Sequence, residues 1–333
     1  MHEEYNLHDI AVYGGYIDDK IKLLQSSSGG IATALAEYIL EQGGYVAGVI
    51  YSEDFYKAEY SIIHNSSDVN KLKGSKYIDC DKNKVYSDVK KLIDAGESVL
   101  FFGLPCVVAA LYAFLGTRPD KLLTCELVCH GPTYPKVHYD YVRFLEKKFK
   151  SKVTQFSTRY KTGKWTETYL YAKFENGKIF RKPFYDTEYG YAFNMLSKKA
   201  CYNCRFKGNN RQADIMIGDF WGATEKDAFW NNGGVSSVFA ETEKGEATLE
   251  AIPGIKLFPV TFERVATGNP MVIRSKRCDP RRDVFERLLE NKGLIYAVRH
   301  TMSFQDRKKK VMHSALWKYI RSTIKSFLPR YRK

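Results

Sequence analysis

Residues 98–117, SVLFFGLPCVVAALYAFLGT, run for twenty positions without a charged side chain. A stretch of that length could just span a bilayer as one helix. Gly103-Leu104-Pro105 interrupts it near its start, and the residue before a proline is pushed out of helical geometry. The run therefore reads as a buried strand over 99–102, a tight turn, and a helix over 107–115. That parse is preferred to a membrane span, and it makes the chain one that must cover an apolar strand.

The surrounding sequence repeats the alternation. Residues 10–16 suggest a short strand, and IATALAEYILEQ after Ser26-Ser27-Ser28-Gly29-Gly30 has apolar residues at helical spacing. A serine is expected to cap that helix and Gly43-Gly44 to close it. Strands follow over 45–51 and 122–128, with a polar helix over 84–95 between them. This pattern predicts an α/β fold whose N-terminal sheet is mostly parallel, spanning residues 1–150. Residues 151–260 form a β-rich, loop-rich second half. Strands are expected over 153–160 and 166–174, the second turned by Glu175-Asn176-Gly177 into a strand over 178–183. Residues 184–222 show little periodicity; a strand over 235–242 and a helix over 245–251 restore it. Residues 261–333 read as a helical C-terminal extension.

At 333 residues with 44% hydrophobic content, the chain can bury a substantial core. Its formal charge is +14, but residues 306–333 hold ten Lys and Arg against one Asp. The rest is close to neutral, which argues against a nucleic-acid-binding surface. The N-terminus MHEEYNLHDIAVYGG has no basic segment followed by an apolar one, so no signal peptide is expected. The thiols are then expected to be reduced, in a cytoplasmic protein.

Seven cysteines are too scattered for a disulfide framework. Cys201-Tyr202-Asn203-Cys204 is a C-x-x-C, open to zinc, an iron–sulfur cluster or a dithiol pair. Cys106 follows the Gly-Leu-Pro turn, and Cys129 ends the 122–128 strand. If both strands lie in one parallel sheet, both cysteines emerge at its carboxyl edge, where α/β proteins place sites. Together with the C-x-x-C they make four thiolates, the number a cubane cluster takes. Equally, Cys106 and Cys129 could be small buried hydrophobes. The Ser26–Gly30 turn offers helix N-terminal N–H groups to an anion, or is an ordinary helix start. Gly74-Ser75-Lys76-Tyr77 sets a cation and an aromatic in a glycine turn.

Six segments in this order carry a resemblance: SSSGGIATALAEYILEQGGYVAGVIY, LKGSKYI, VLFFGLPCVVAALYAFL, ELVCHGP, CYNCRFKGNNRQADIMIGDFWG and GVSSVFAETEKGE. Over about residues 10–250 the chain resembles the beta subunit of coenzyme F420 hydrogenase/dehydrogenase. The resemblance implies an oxidoreductase carrying FAD and a [4Fe-4S] cluster, passing electrons between them and an unidentified substrate. It implies Cys106, Cys129, Cys201 and Cys204 as metal ligands. Ser27, Ser28, Gly29, Gly30, Gly74, Ser75, Lys76 and Tyr77 become flavin contacts, with Gly103 and Pro105 on the same edge. Asp219, Phe220, Trp221 and Gly222 would shield the cofactors or form a plain strand and turn. No proton donor stands out; His130, beside Cys129, is the candidate by position, or else a structural histidine. A flavin exchanges two electrons as hydride and a cluster one at a time, so the pair converts between the regimes.

Two departures stand out. Many bacterial relatives begin with a ferredoxin-like cysteine-rich segment, whereas no cysteine precedes Cys80 here. A ferredoxin-like donor on a separate chain is therefore expected. Leu104 stands where threonine is usual in the G-T-P-C turn. Bacterial relatives of this outline occur with surface-polysaccharide genes, so the substrate is either of the coenzyme F420 type or a glycan-pathway compound. The alternatives are a non-catalytic zinc-stapled protein and a cofactor-free assembly partner in surface polysaccharide biosynthesis. In the tail, Trp317, Ile320, Ile324, Phe327 and Leu328 share a helical face with Lys318, Arg321 and Lys325 between them. Such a basic helix would either touch an anionic inner-membrane surface or dock on the protein's own core.

Overall fold

The computed structural model describes residues 9–307, so the basic tail beyond Arg307 lies outside the described residues. Eleven strands are present among them: β1 (Ala11–Ile17), β2 (Tyr45–Tyr51), β3 (Ala58–Ile63), β4 (Val99–Gly103), β5 (Leu122–Leu127), β6 (Val153–Tyr160), β7 (Tyr169–Phe174), β8 (Ile179–Pro183), β9 (Ile215–Asp219), β10 (Ser236–Ala240) and β11 (Ile255–Pro259). Eight form one sheet in the order β11-β1-β10-β9-β5-β4-β2-β3, and β6-β7-β8 form a second. The centre of the large sheet, β9-β5-β4-β2, is parallel; the outer pairings are antiparallel. The expected α/β architecture is present, and the sheet takes strands from both sides of residue 150.

The 98–117 run explains the central layers. Pro105 occupies the first turn of the helix Pro105–Leu115, where its missing N–H costs nothing. The helix thus begins two residues earlier than the spacing predicts. On β4 the side chains alternate: Val99 and Phe101 join the core formed with the helices Val85–Asp94 and Pro105–Leu115, while Leu100 faces the opposite core. That opposite core is closed by the helix Ile31–Glu41, which buries Ile31, Leu35 and Leu40. Each such side chain contributes about 1.5–3 kcal/mol of burial. Both faces of the central strands are covered, which is why they read as unbroken apolar runs.

One local expectation changes. No serine caps the Ile31–Glu41 helix; its N-cap is Gly30, in the left-handed region at φ 83°, with no side-chain cap bond. The serines are committed elsewhere: Ser26 Oγ donates to the Lys22 carbonyl, and Ser28 Oγ to the Val235 carbonyl. Gly43 and Gly44 close the helix as expected, donating to the carbonyls of Leu40 and Ile39.

The small antiparallel sheet packs with the helices Pro135–Phe149, Glu188–Met195, Arg282–Lys292 and Leu294–Thr301 around a separate aromatic-rich core. Gly177, at φ 78°, turns β7 into β8 as the Asn-Gly pair predicts. No helix among the described residues is long and apolar enough to cross a membrane.

Candidate functional site

The parallel strands β2, β4, β5 and β9 all end on one edge, and a cavity of about 540 Å³ opens there. Its walls come from residues 26–28 and 30–33, the loop 72–80, the β4 end at 102–104, the β5 end at 127–132, and 217–219 of β9 with Trp221. Its size suits a small-molecule or cofactor site.

Most residues singled out from the sequence lie on this cavity: Ser27, Ser28, Gly30, Gly74, Ser75, Lys76, Tyr77, Gly103, Cys129 and His130. Gly29, Pro105, Cys106, Cys201 and Cys204 are not among the lining residues. Gly29 stands behind the wall, where a Cβ would come within 2.2 Å of the Gly15 carbonyl oxygen. Pro105 is buried in the first turn of its helix. Because no side chain caps the Ile31–Glu41 helix, its first N–H groups remain available on the cavity side at residues 31–33.

The loop side is tightly tied. Ser75 Oγ donates to Ser27 Oγ at 3.1 Å, and Thr158 Oγ1 donates to the Ser75 carbonyl at 2.6 Å. Lys76 Nζ donates to the carbonyls of Lys71, Leu72 and Lys73, and burial pulls its pKa down to about 7. Tyr77 stacks on Phe193 at 4.6 Å, and Phe193 stacks on His130 at 4.8 Å. Burial, with Lys276 and Lys207 nearby, lowers the His130 imidazole to about 4, so it is neutral at neutral pH. Its Nδ1 is buried without a hydrogen-bond partner.

Sequence reading missed Arg159. It rises from β6, its side chain 3% exposed, and its guanidinium pairs with Asp219 at 2.7 Å. Arg159 Nε donates to the Ser27 carbonyl, and the guanidinium lies 5.0 Å from the Trp221 ring centre. Burial raises the Asp219 pKa while Arg159 opposes it. No local signal in the sequence marked it. A register shift between Ser157 and Tyr160 turns both Thr158 and Arg159 inward. Lys161, two residues on, donates to the carbonyls of Leu23, Ser28 and Gly233.

The four cysteines come from three segments. Cys106 is the second residue of the Pro105–Leu115 helix, and Cys129 follows β5. Cys201 lies in the short turn Lys199–Asn203, and Cys204 ends it with its N–H donating to Ser275 Oγ at 2.9 Å. Gly131 N donates to Cys129 Sγ at 3.2 Å, and a Cβ on Gly131 would stand 3.1 Å from that of Cys201. Cys106 feels the charges of Cys204 and Cys201, and Cys129 those of Cys106 and Cys201. Burial pushes Cys129 up to about 12 and raises Cys106 and Cys201. A metal must displace protons to bind there. As placed, no three His, Cys, Asp or Glu side chains among the described residues stand close enough to hold a metal ion. The donor chemistry, four thiols in one electrostatic neighbourhood, still suits an iron–sulfur cluster. Cys80 lines the cavity, Cys125 is buried in the sheet, and Cys278 is exposed.

Two family models match the sequence. The coenzyme F420 hydrogenase/dehydrogenase beta subunit N-terminal model covers residues 12–85, and the C-terminal model of the same subunit covers residues 96–256. No protein of curated function gives a significant match. Among solved structures, the chain is similar in fold to one in the F420-reducing [NiFe] hydrogenase complex from Methanosarcina barkeri. The TM-score is 0.54 at 19% identity, over 90% of this chain and 94% of that one.

Proposed function

Since this chain belongs to the coenzyme F420 hydrogenase/dehydrogenase beta-subunit family, a redox family, we propose that it is an oxidoreductase holding FAD and a [4Fe-4S] cluster. The observation that carries the reading is convergence. The turn after β5 brings Cys129 to the cavity wall; Cys106 and Cys201 lie within electrostatic reach of Cys129, and Cys204 within reach of Cys106, though these three do not line the cavity. Cys129 and His130 are adjacent in sequence and both line the cavity, so the thiol site and the cavity share a wall.

In this reading Cys106, Cys129, Cys201 and Cys204 hold the cluster, and Ser27, Ser28, Gly30 and residues 74–77 hold the flavin with Gly103. When bound, the flavin would supply exchange of hydride for single electrons. The N–H groups at residues 31–33 favour an anionic group at the cavity floor. Arg159 and Asp219 fix the facing wall through their ion pair. The Tyr77–Phe193–His130 stack forms an aromatic stretch of the cavity wall beside Cys129. His130 lines the cavity with a neutral ring whose buried Nδ1 holds no hydrogen-bond partner.

The solved structure of similar fold is of a hydrogenase complex, which supports a separate electron-carrying chain as partner. The substrate is a coenzyme F420-type or glycan-pathway compound. The test is the absorption spectrum of protein purified without oxygen, with iron, sulfide and flavin assayed on the same sample. About four irons and one flavin per chain are expected. A colourless zinc-bearing protein that resists anaerobic reconstitution would overturn the reading.

A further inference from the structure

Four lysines stand among the proposed ligand cysteines, and they are of two kinds. Lys82 and Lys198 both pair with Asp79, at 2.8 and 2.6 Å. Lys207 and Lys276 hold no ion pair among the described residues. Lys207 Nζ donates to the main-chain oxygens of Cys129 and Met271. Lys276, 7% exposed, donates to the Phe193 carbonyl at 2.6 Å and to Ser197 Oγ at 3.0 Å. The acids within electrostatic reach are already engaged: Glu126 with Arg211, and Asp279 with Arg281.

An ammonium withdrawn from water calls for a counter-anion. The groups placed to supply one are the thiols. Lys207 acts electrostatically on Cys129, Cys204 and Cys201; Lys276 acts on Cys201 and also on Cys278, which is not one of the four. Ser197 extends the connection, since its Oγ also donates to the carbonyl of Gly131, whose N–H reaches Cys129 Sγ. Four cysteines that ligate a cluster do so as thiolates, so loading the site brings negative charge to both lysines.

We propose that Lys207 and Lys276 are the counter-cations of the four-cysteine site and that Lys207 raises its reduction potential. The inference rests on the iron–sulfur reading above. Reduction adds one electron from an external donor, makes and breaks no bond and takes up no proton. It leaves the site one charge more negative, and a fixed cation beside it favours that state. Lys207 is the better probe because it is less buried than Lys276 and touches the main chain of a ligand residue.

The experiment is a dye-mediated redox titration, followed by electron paramagnetic resonance, on the reconstituted full chain and its Lys207→Gln and Lys207→Arg variants. Lys207→Gln is expected to lower the reduced-to-oxidised ratio at fixed potential about tenfold, or 59 mV for a one-electron couple. Lys207→Arg should stay near wild type. A Lys207→Gln protein that cannot retain iron, beside a Lys207→Arg protein that keeps it at the native potential, equally supports the proposal. An unchanged potential in Lys207→Gln, or equal shifts in both variants, overturns it while leaving the cluster assignment intact. A wild-type chain that takes up no iron removes both readings together.

Discussion

Arg159 Nη2 stands 2.7 Å from Asp219 Oδ1, and this contact joins the end of a β6 bulge to the end of β9. The two sheets share no strand, so side-chain contacts such as this one fix the small sheet against the cavity edge. The arginine also holds the Ser27 carbonyl and faces Trp221, which stacks on the buried Trp165 at 5.0 Å. One guanidinium thus joins two walls of the candidate site, the serine turn and the β9 end with Trp221.

Removing that guanidinium leaves Asp219 buried without its partner. Arg159→Met is expected to cost about 3 kcal/mol in urea unfolding, within the range for a broken buried pair. The double variant Arg159→Met with Asp219→Asn should recover a substantial part of the loss. Equal destabilisation in the single and double variants would mean the pair is not coupled.

Gly131 sits at φ 100°, with the Cys201 side chain against the space a Cβ would fill. Gly131→Ala should destabilise the fold by about 1–2 kcal/mol from backbone strain alone. It should also reduce iron per chain after anaerobic reconstitution, because Cys129 and Cys201 are pushed apart. Full iron content in the alanine variant would contradict the placement of the cysteines.

The seven cysteines should separate cleanly by metal content. Cys129→Ser and Cys204→Ala are expected to lose most of their iron, whereas Cys278→Ser, exposed at the surface, should keep it. Cys125→Ala should also keep iron, at a cost in stability from the space left in the sheet core. Iron loss in Cys125→Ala would point to a different ligand set.

Asp306 provides the pH test. Burial would raise its carboxyl, but hydrogen bonds from Arg281 and Ser303 win and hold it at about 2. A carboxylate with a depressed folded-state pKa stabilises above its unfolded value, near 4, and that stability is lost as pH falls toward 2. With Arg281 partly exposed, the contribution is about 1 kcal/mol. Asp306→Asn should therefore flatten the unfolding free energy between pH 4 and pH 2; an unchanged slope would mean the ion pair is absent in solution.

Periodicity made the layered centre legible. The β2 and β6 boundaries match those the spacing predicts, and the helices on either side of β4 follow from apolar spacing. What escaped lacked a local signal. β9 lies in an aperiodic stretch, and its parallel partner β5 is remote in sequence. The helix Pro135–Phe149 carries Val137, Tyr141, Val142 and Leu145 inward among lysines and tyrosines that blur the stripe. At the site, the serine turn and the β5 end could be read because glycines and cysteines each carry a specific physical meaning. Arg159 could not be read, because its inward turn depends on a register shift that only pairing with β7 creates.

The sheet order also sets a schedule. Ala11 pairs with Ala240, and Ile17 with Ile255, so the first strand leaves the ribosome with no neighbour yet made. At typical elongation rates it waits roughly ten seconds or more for β10 and β11. Through that interval its backbone groups stay open to any passing strand. A nascent chain stalled before residue 236 therefore presents an unpaired β-edge.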